Sequence, residues 1–114
     1  MRKEKRRPDE ELQRATELYA KFFQGLAHPA RLRIVEVLLE KACTVSELME
    51  RLGLPQSQVS NHLACLKWCG YVSSRQEGRY MVYFVTDVRV RAMIELAKGI
   101  VADNAARLSR CTRI

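Results

Sequence analysis

No stretch of this chain approaches the roughly 18 consecutive apolar residues that a membrane-spanning helix needs. Nor is there a Cys-x-x-Cys motif, a Cys/His/Asp constellation or a phosphate loop, and this argues against a thiol enzyme or a metal carrier. The first residues, Met1-Arg2-Lys3-Glu4-Lys5-Arg6-Arg7, are charged and lead into no apolar segment, which is not the pattern of a secretory signal. A cytoplasmic location is therefore expected. Internal repeats, low-complexity tracts and linkers are absent, and 114 residues suit one domain. Histidine is scarce, with 2 residues against 4 cysteines. In a reducing compartment such cysteines favour metal ligation or redox chemistry over a disulfide framework.

What the chain does have is positive charge and a 47% hydrophobic content. The net charge of +7 favours a polyanionic partner. Residues 1–8 read as a basic arm ending in Pro8, either solvated or phosphate-seeking. Asp9 is expected to cap a first helix. Leu12, Ala15, Tyr19, Phe22 and Leu26, thickened by Phe23, form an apolar stripe at spacings of three and four. Pro29 suits the first turn of a second helix, with His28 before it as cap or brace. Leu32, Ile34, Val35, Val37, Leu38 and Leu39 make that helix apolar around most of its girth, hence central. Thr44-Val45-Ser46-Glu47 is a capping box opening a short third helix that carries Val45, Leu48, Met49 and Leu52 and stops at Gly53. A fourth helix runs from Pro55 to Cys69 and ends at Gly70.

The period then changes from near 3.6 to 2. Residues 71–76 and 80–85 read as strands, with Glu77-Gly78-Arg79 as the hairpin tip. Asp87 caps a last helix whose apolar face holds Met93, Ile94, Leu96, Ala97, Ile100, Val101 and Leu108. The expected fold is mainly α with a small β-hairpin wing, a winged helix-turn-helix. Its DNA-binding and dimerisation body is residues 9–108, followed by a cysteine-bearing tail at 109–114. The two outer helices are the natural surface for a homodimer, which would present two recognition helices to successive major grooves of double-stranded operator DNA.

Projected at about 100° per residue, the fourth helix has three faces. Val59, Leu63 and Leu66 face the core. Gln56, Ser57, Ser60, Ala64 and Lys67 are small, polar or basic and suit base edges and phosphates, with Asn61 at the edge of that arc. His62, Cys65 and Cys69 lie on the flank between. His62 reads first as a structural histidine; together with Gln58 it completes the helix's candidate DNA contacts. Arg75, Arg79 and Tyr80 are the candidate contacts on the wing. Cys65 and Cys69 stand one helical turn apart, about 6 Å, so both thiolates can grip one soft metal ion. Cys43, Met49, Met81 and Met93 read as core and Trp68 as a packing aromatic.

Several segments together resemble the ArsR/SmtB family of dimeric winged-helix repressors over roughly residues 12–108. They are Leu26-Ala27-His28-Pro29-Ala30-Arg31-Leu32-Arg33-Ile34, Val45-Ser46-Glu47-Leu48, Val59-Ser60-Asn61-His62-Leu63, and Glu77-Gly78-Arg79 with Tyr83. The resemblance implies a homodimer that binds its operator when metal-free and lets go when metal binds. The family's Cys-x-Cys site at the third helix has no counterpart in Cys43-Thr44-Val45-Ser46. Its last-helix site keeps Asp87 and Asp103 but has Arg89 and Ile100 where histidines would stand. His62-Leu63-Ala64-Cys65-Leu66-Lys67-Trp68-Cys69-Gly70 instead is similar to the motif of CmtR-type cadmium/lead sensors, which add a third, C-terminal cysteine; here that is Cys111. Three thiolates favour Cd(II) or Pb(II), then As(III) or Hg(II), with Zn(II) less well served because it prefers four ligands. Lys67 near the pair and Arg107, Arg110 and Arg113 around Cys111 are expected to favour the thiolate forms. The competing reading is a thiol redox or persulfide sensor on the same scaffold.

Overall fold

A computed structural model describes residues 7–112. Over that range the elements are α1 (Pro8–Leu26), α2 (Pro29–Glu40), α3 (Val45–Leu52), α4 (Gln56–Trp68), β1 (Ser73–Glu77), β2 (Tyr80–Phe84) and α5 (Val88–Ser109). Most of the basic arm, residues 1–6, and Arg113 lie outside the described residues.

Local chemistry sets the helix ends. Thr44 Oγ1 accepts from Glu47 N at 3.2 Å and Glu47 Oε1 accepts from Thr44 N at 3.1 Å, so the capping box closes both ways. Gly53 ends α3 at φ 66°, a left-handed conformation that suits glycine. His28 Nδ1 accepts from Ala30 N at 3.1 Å and caps α2. Asp87 caps α5 by accepting from Arg89 N at 2.9 Å. Asp9 does not cap α1. Pro8 already occupies the first turn behind Arg7, because its fixed φ is preset for a helix start. Asp9, Glu10 and Glu11 then lie in the first turn, where negative charge opposes the helix dipole favourably.

The core forms where α2, α3 and α4 meet. Ile34, Val35, Leu48, Val59, Leu63, Leu66 and Tyr71 are essentially inaccessible to solvent. Burying each of the leucines contributes about 1.5–3 kcal/mol. Cys43 is buried with them, as expected of a core filler, and burial pushes its thiol pKa up. Tyr71 precedes the first strand rather than opening it: its ring stacks on Phe22 at 4.5 Å and its hydroxyl donates to the Phe22 carbonyl. Burial, with Cys69 as a lesser cause, pushes that phenol up to about 12.

The wing pairs β1 and β2 antiparallel, from Ser73 opposite Phe84 to Glu77 opposite Tyr80. The tip is thus Gly78-Arg79, one residue shorter than expected, with Gly78 at φ 59°. Cys43 and Tyr83 exchange backbone hydrogen bonds of 3.0 and 2.8 Å, fastening the wing to the α2–α3 connection. Strand alternation buries Val82 and turns its neighbour Met81 outward, so Met81 is not core. Met49 and Met93 are half-buried against the core.

The outer helices are largely uncovered. On α1, Leu12, Leu18, Tyr19 and Phe23 are exposed; on α5 only Val90 and Ile94 are buried, while Leu96, Ile100, Val101 and Leu108 face outward. An open apolar groove of about 430 Å³ runs between them, lined by Phe23, Leu26, Leu32, Met93, Ile94 and Ile100.

Candidate nucleic-acid interface and thiol site

The three faces read from α4 are present. Val59, Leu63 and Leu66 are buried, and Gln56, Ser57, Ser60, Asn61, Ala64 and Lys67 are exposed. Gln58 is exposed on the flank and His62 is half-buried. Lys67 Nζ donates to Ser74 Oγ at 2.7 Å, which ties the end of α4 to the base of the wing. On the wing Arg75 is partly engaged within the hairpin. Its Nε donates to Glu77 Oε1 at 2.6 Å and its guanidinium sits 4.9 Å from the centre of the Phe84 ring. Arg79 and Tyr80 are exposed near the tip. Trp68 is not a packing aromatic: it is 92% exposed.

Cys65 and Cys69 are half-buried on the flank of α4, one helical turn apart. Burial pushes the Cys69 thiol pKa up, its neighbour Cys65 adds to the rise, and Arg31 opposes it. The cation beside the pair is therefore Arg31, which sequence reasoning did not place there. Its Nη1 donates to Cys65 Sγ at 2.9 Å and lies 3.5 Å from the carbonyl oxygen of Gly25. Its Nε is buried with no hydrogen-bond partner among the described residues. Lys67, the cation expected near the pair, is engaged instead by Ser74 of the wing. Gly25 closes the pocket from the end of α1. A Cβ there would stand 3.0 Å from Cys69 Sγ and 3.0 Å from the Tyr71 ring. Only a glycine lets α1 approach the thiols so closely.

Cys111 is exposed beyond the end of α5. No group of three or more His, Cys, Asp and Glu side chains converges among the described residues, so Cys111 does not join Cys65 and Cys69 within one chain. Those two, on successive turns of one helix, fit as donors for half or more of a soft-metal thiolate site. His62 turns away toward α2, its ring 4.5 Å from that of His28. Burial lowers its pKa, and electrostatic interaction with His28 and then Arg31 lowers it further. Asp87 of the unlikely last-helix site is already held by its own cap. Arg89 binds both its carboxylate oxygens, which holds its pKa down at about 2.

Fold and site together define a winged helix-turn-helix DNA-binding protein with two cysteines one turn apart on α4. Residues 28–74 match the model of the bacterial regulatory protein arsR family. The chain is 46% identical to a probable mercury resistance operon repressor of Streptomyces lividans over 83% of its length and 76% of that protein. It is 42% identical to the transcriptional regulator CmtR of Mycobacterium bovis, over 73% of its length and 71% of that protein. The structure superimposes on a homodimeric winged helix-turn-helix DNA-binding domain from Mycobacterium bovis with a TM-score of 0.72 at 26% identity, covering 91% of this chain and 92% of that one. The chain belongs to the ArsR family of transcriptional regulators. Its relatives are DNA-binding regulators, not enzymes.

Proposed function

We propose that the chain is a cytoplasmic, homodimeric repressor that holds double-stranded operator DNA when metal-free and releases it when a thiophilic cation binds Cys65 and Cys69. Cys111 of the partner subunit, on the 109–114 tail, supplies the third sulfur. The observation that carries this reading is the placement of Cys65 and Cys69, half-buried one turn apart on the flank of α4 with Arg31 Nη1 2.9 Å from Cys65 Sγ, beside an exposed polar arc suited to DNA. The exposed apolar faces of α1 and α5 support a dimer, since a lone chain would leave Tyr19, Phe23, Leu96 and Ile100 in water.

The bound cation supplies a charge that holds thiolates together. The chain's residues do the rest. Cys65 and Cys69 present two sulfurs from successive turns, and Arg31 must surrender Cys65 when a cation takes it. Since Arg31 begins α2 and reaches toward the last turn of α1 through Gly25, its displacement is felt at the junction of three helices. A population shift between two dimer geometries then empties the operator; moving such an equilibrium from 1:99 to 99:1 takes about 5.5 kcal/mol of differential binding. Cd(II) and Pb(II) suit three sulfurs best, with As(III) and Hg(II) next and Zn(II) after them. The relatives named for CmtR and for mercury resistance favour a metal inducer.

The test is operator-fragment mobility across a panel of Cd, Pb, As, Hg and Zn, with sulfur-to-metal absorption recorded in parallel. Stoichiometric absorption with loss of the shifted band is expected. Release by a peroxide or persulfide oxidant and by none of the metals would overturn the metal reading in favour of a redox sensor, for which two thiols one helical turn apart are also suited.

A further inference from the structure

Trp68 is the largest side chain on the surface of α4 and the most exposed large hydrophobic group of the described chain, at 92%. Lone exposed apolar residues are common and need no explanation. The position of this one does. At about 100° per residue, Trp68 lies within roughly 20° of Ser57, 20° of Asn61 and 40° of Ala64. These four residues form one exposed stripe along the helix, facing away from Val59, Leu63 and Leu66. Trp68 therefore continues the polar DNA-facing stripe by one more turn. Beside it in sequence, Lys67 is braced against Ser74 of the wing, so a positive charge is held at the same end of the helix.

We propose that Trp68 contacts the sugar-phosphate backbone of bound DNA. An indole offers one N–H donor and no acceptor, which matches a phosphate oxygen, and its ring covers the apolar face of a deoxyribose. The inference rests on the DNA-binding reading above and adds a contact at the wing-proximal end of the helix, beyond the polar residues of its first turns. Because phosphates and sugars carry no sequence, the contact strengthens binding to all duplexes alike. Because indole is uncharged, it releases no counterion and leaves the salt slope untouched, unlike a lysine.

The chain contains 1 tryptophan, so its fluorescence reports this site alone. The experiment uses the full chain and a mixed-sequence duplex long enough for two half-sites one helical turn apart. Saturating duplex is expected to cut acrylamide quenching at least about twofold. Trp68→Ala should weaken binding about tenfold on mixed-sequence and operator duplexes equally, with an unchanged slope of log affinity against log salt. Trp68→Phe should fall between, and Lys67→Ala should lower the slope. If the chain binds duplex while quenching and Trp68→Ala affinity stay as before, this inference fails and the DNA-binding reading survives. A chain that ignores every duplex sinks both. A blue shift that grows with protein concentration in the absence of DNA would assign Trp68 to a contact between copies of the chain and overturn the proposal.

Discussion

The guanidinium of Arg31 reaches Cys65 Sγ at 2.9 Å across 34 residues of sequence, and the same Nη1 lies 3.5 Å from the Gly25 carbonyl. One side chain at the start of α2 thus joins the flank of the DNA-reading helix to the end of α1. Arg31 is half-buried, so these bonds are partly shielded from water. A hydrogen bond of this kind contributes about 1 kcal/mol, and more where a charged group takes part. Arg31→Ala should therefore lower stability by about 1–2 kcal/mol, read as a fall in Tm of about 4–8 °C. Arg31→Lys should not restore it, because the lysine nitrogen ends one bond nearer the backbone than Nη1 and is not held by a rigid guanidinium plane. An Arg31→Ala protein that melts with the wild type would show that the contact holds nothing together.

Gly25→Ala sets two effects against each other. In a helix, alanine is favoured over glycine by about 1 kcal/mol. Here the new methyl would lie 3.0 Å from both Cys69 Sγ and the Tyr71 ring, closer than packed atoms tolerate. Overpacking of this sort costs about 1–3 kcal/mol, so the net change should be destabilising. Urea unfolding of Gly25→Ala, Cys69→Ala and the double variant measures the coupling directly. Removing the sulfur should recover part of the loss, with a coupling of about 0.5–3 kcal/mol. Recovery is partial because Tyr71 remains in the way. Strict additivity would mean that α1 does not press on the thiol.

How far these contacts were legible in the sequence follows from their range. The Thr44–Glu47 capping box, the His28 and Asp87 caps and the three faces of α4 depend on neighbours within a few residues, and all formed as read. Trp68 was legible too: its angle on α4 puts it opposite the core, but bulk and apolarity suggested packing. Met81 was lost to a strand's alternation, which a short apolar run such as Tyr80–Phe84 hides. Arg31 beside Cys65, Gly25 beneath Cys69 and Tyr71 under Phe22 bring distant segments together, and no local pattern announces such pairs.

His62 makes stability depend on pH with a definite sign. Burial depresses its pKa, and electrostatic interaction with His28 and Arg31 adds to this. The folded state therefore binds this proton less readily than the unfolded chain, whose histidine titrates near 6.5. Above that pH both states are neutral at this position and stability is unaffected. As pH falls below about 6.5 the unfolded chain takes up the proton first, and stability declines until the folded-state pKa is passed. Thermal melts between pH 8 and pH 5 should show a falling Tm whose slope is reduced in His62→Gln. An identical slope in the variant would assign the decline to other groups.

The cysteines allow the sharpest separation of structure from sensing. Cys65→Ser or Cys69→Ser should keep DNA affinity near that of the wild type and abolish metal-induced release, because both thiols are half-buried and lie off the exposed polar arc proposed to contact DNA. Equal loss of both activities would mean that the thiols, with Arg31 and Gly25 packed on them, hold up the fold. Cys111 stands apart from the pair within one chain, yet its tail leaves α5, whose apolar face is free to meet a second copy. A site shared across the dimer has a stoichiometric signature. Homodimers of Cys111→Ser or of Cys65→Ser should each lack the complete three-sulfur site. In a heterodimer of the two variants, the subunit that keeps Cys65 and Cys69 faces a partner that keeps Cys111, so one full site per dimer should reappear in a Cd(II) absorption titration. If the site closed within each chain, both subunits of that heterodimer would remain defective and no full site would return.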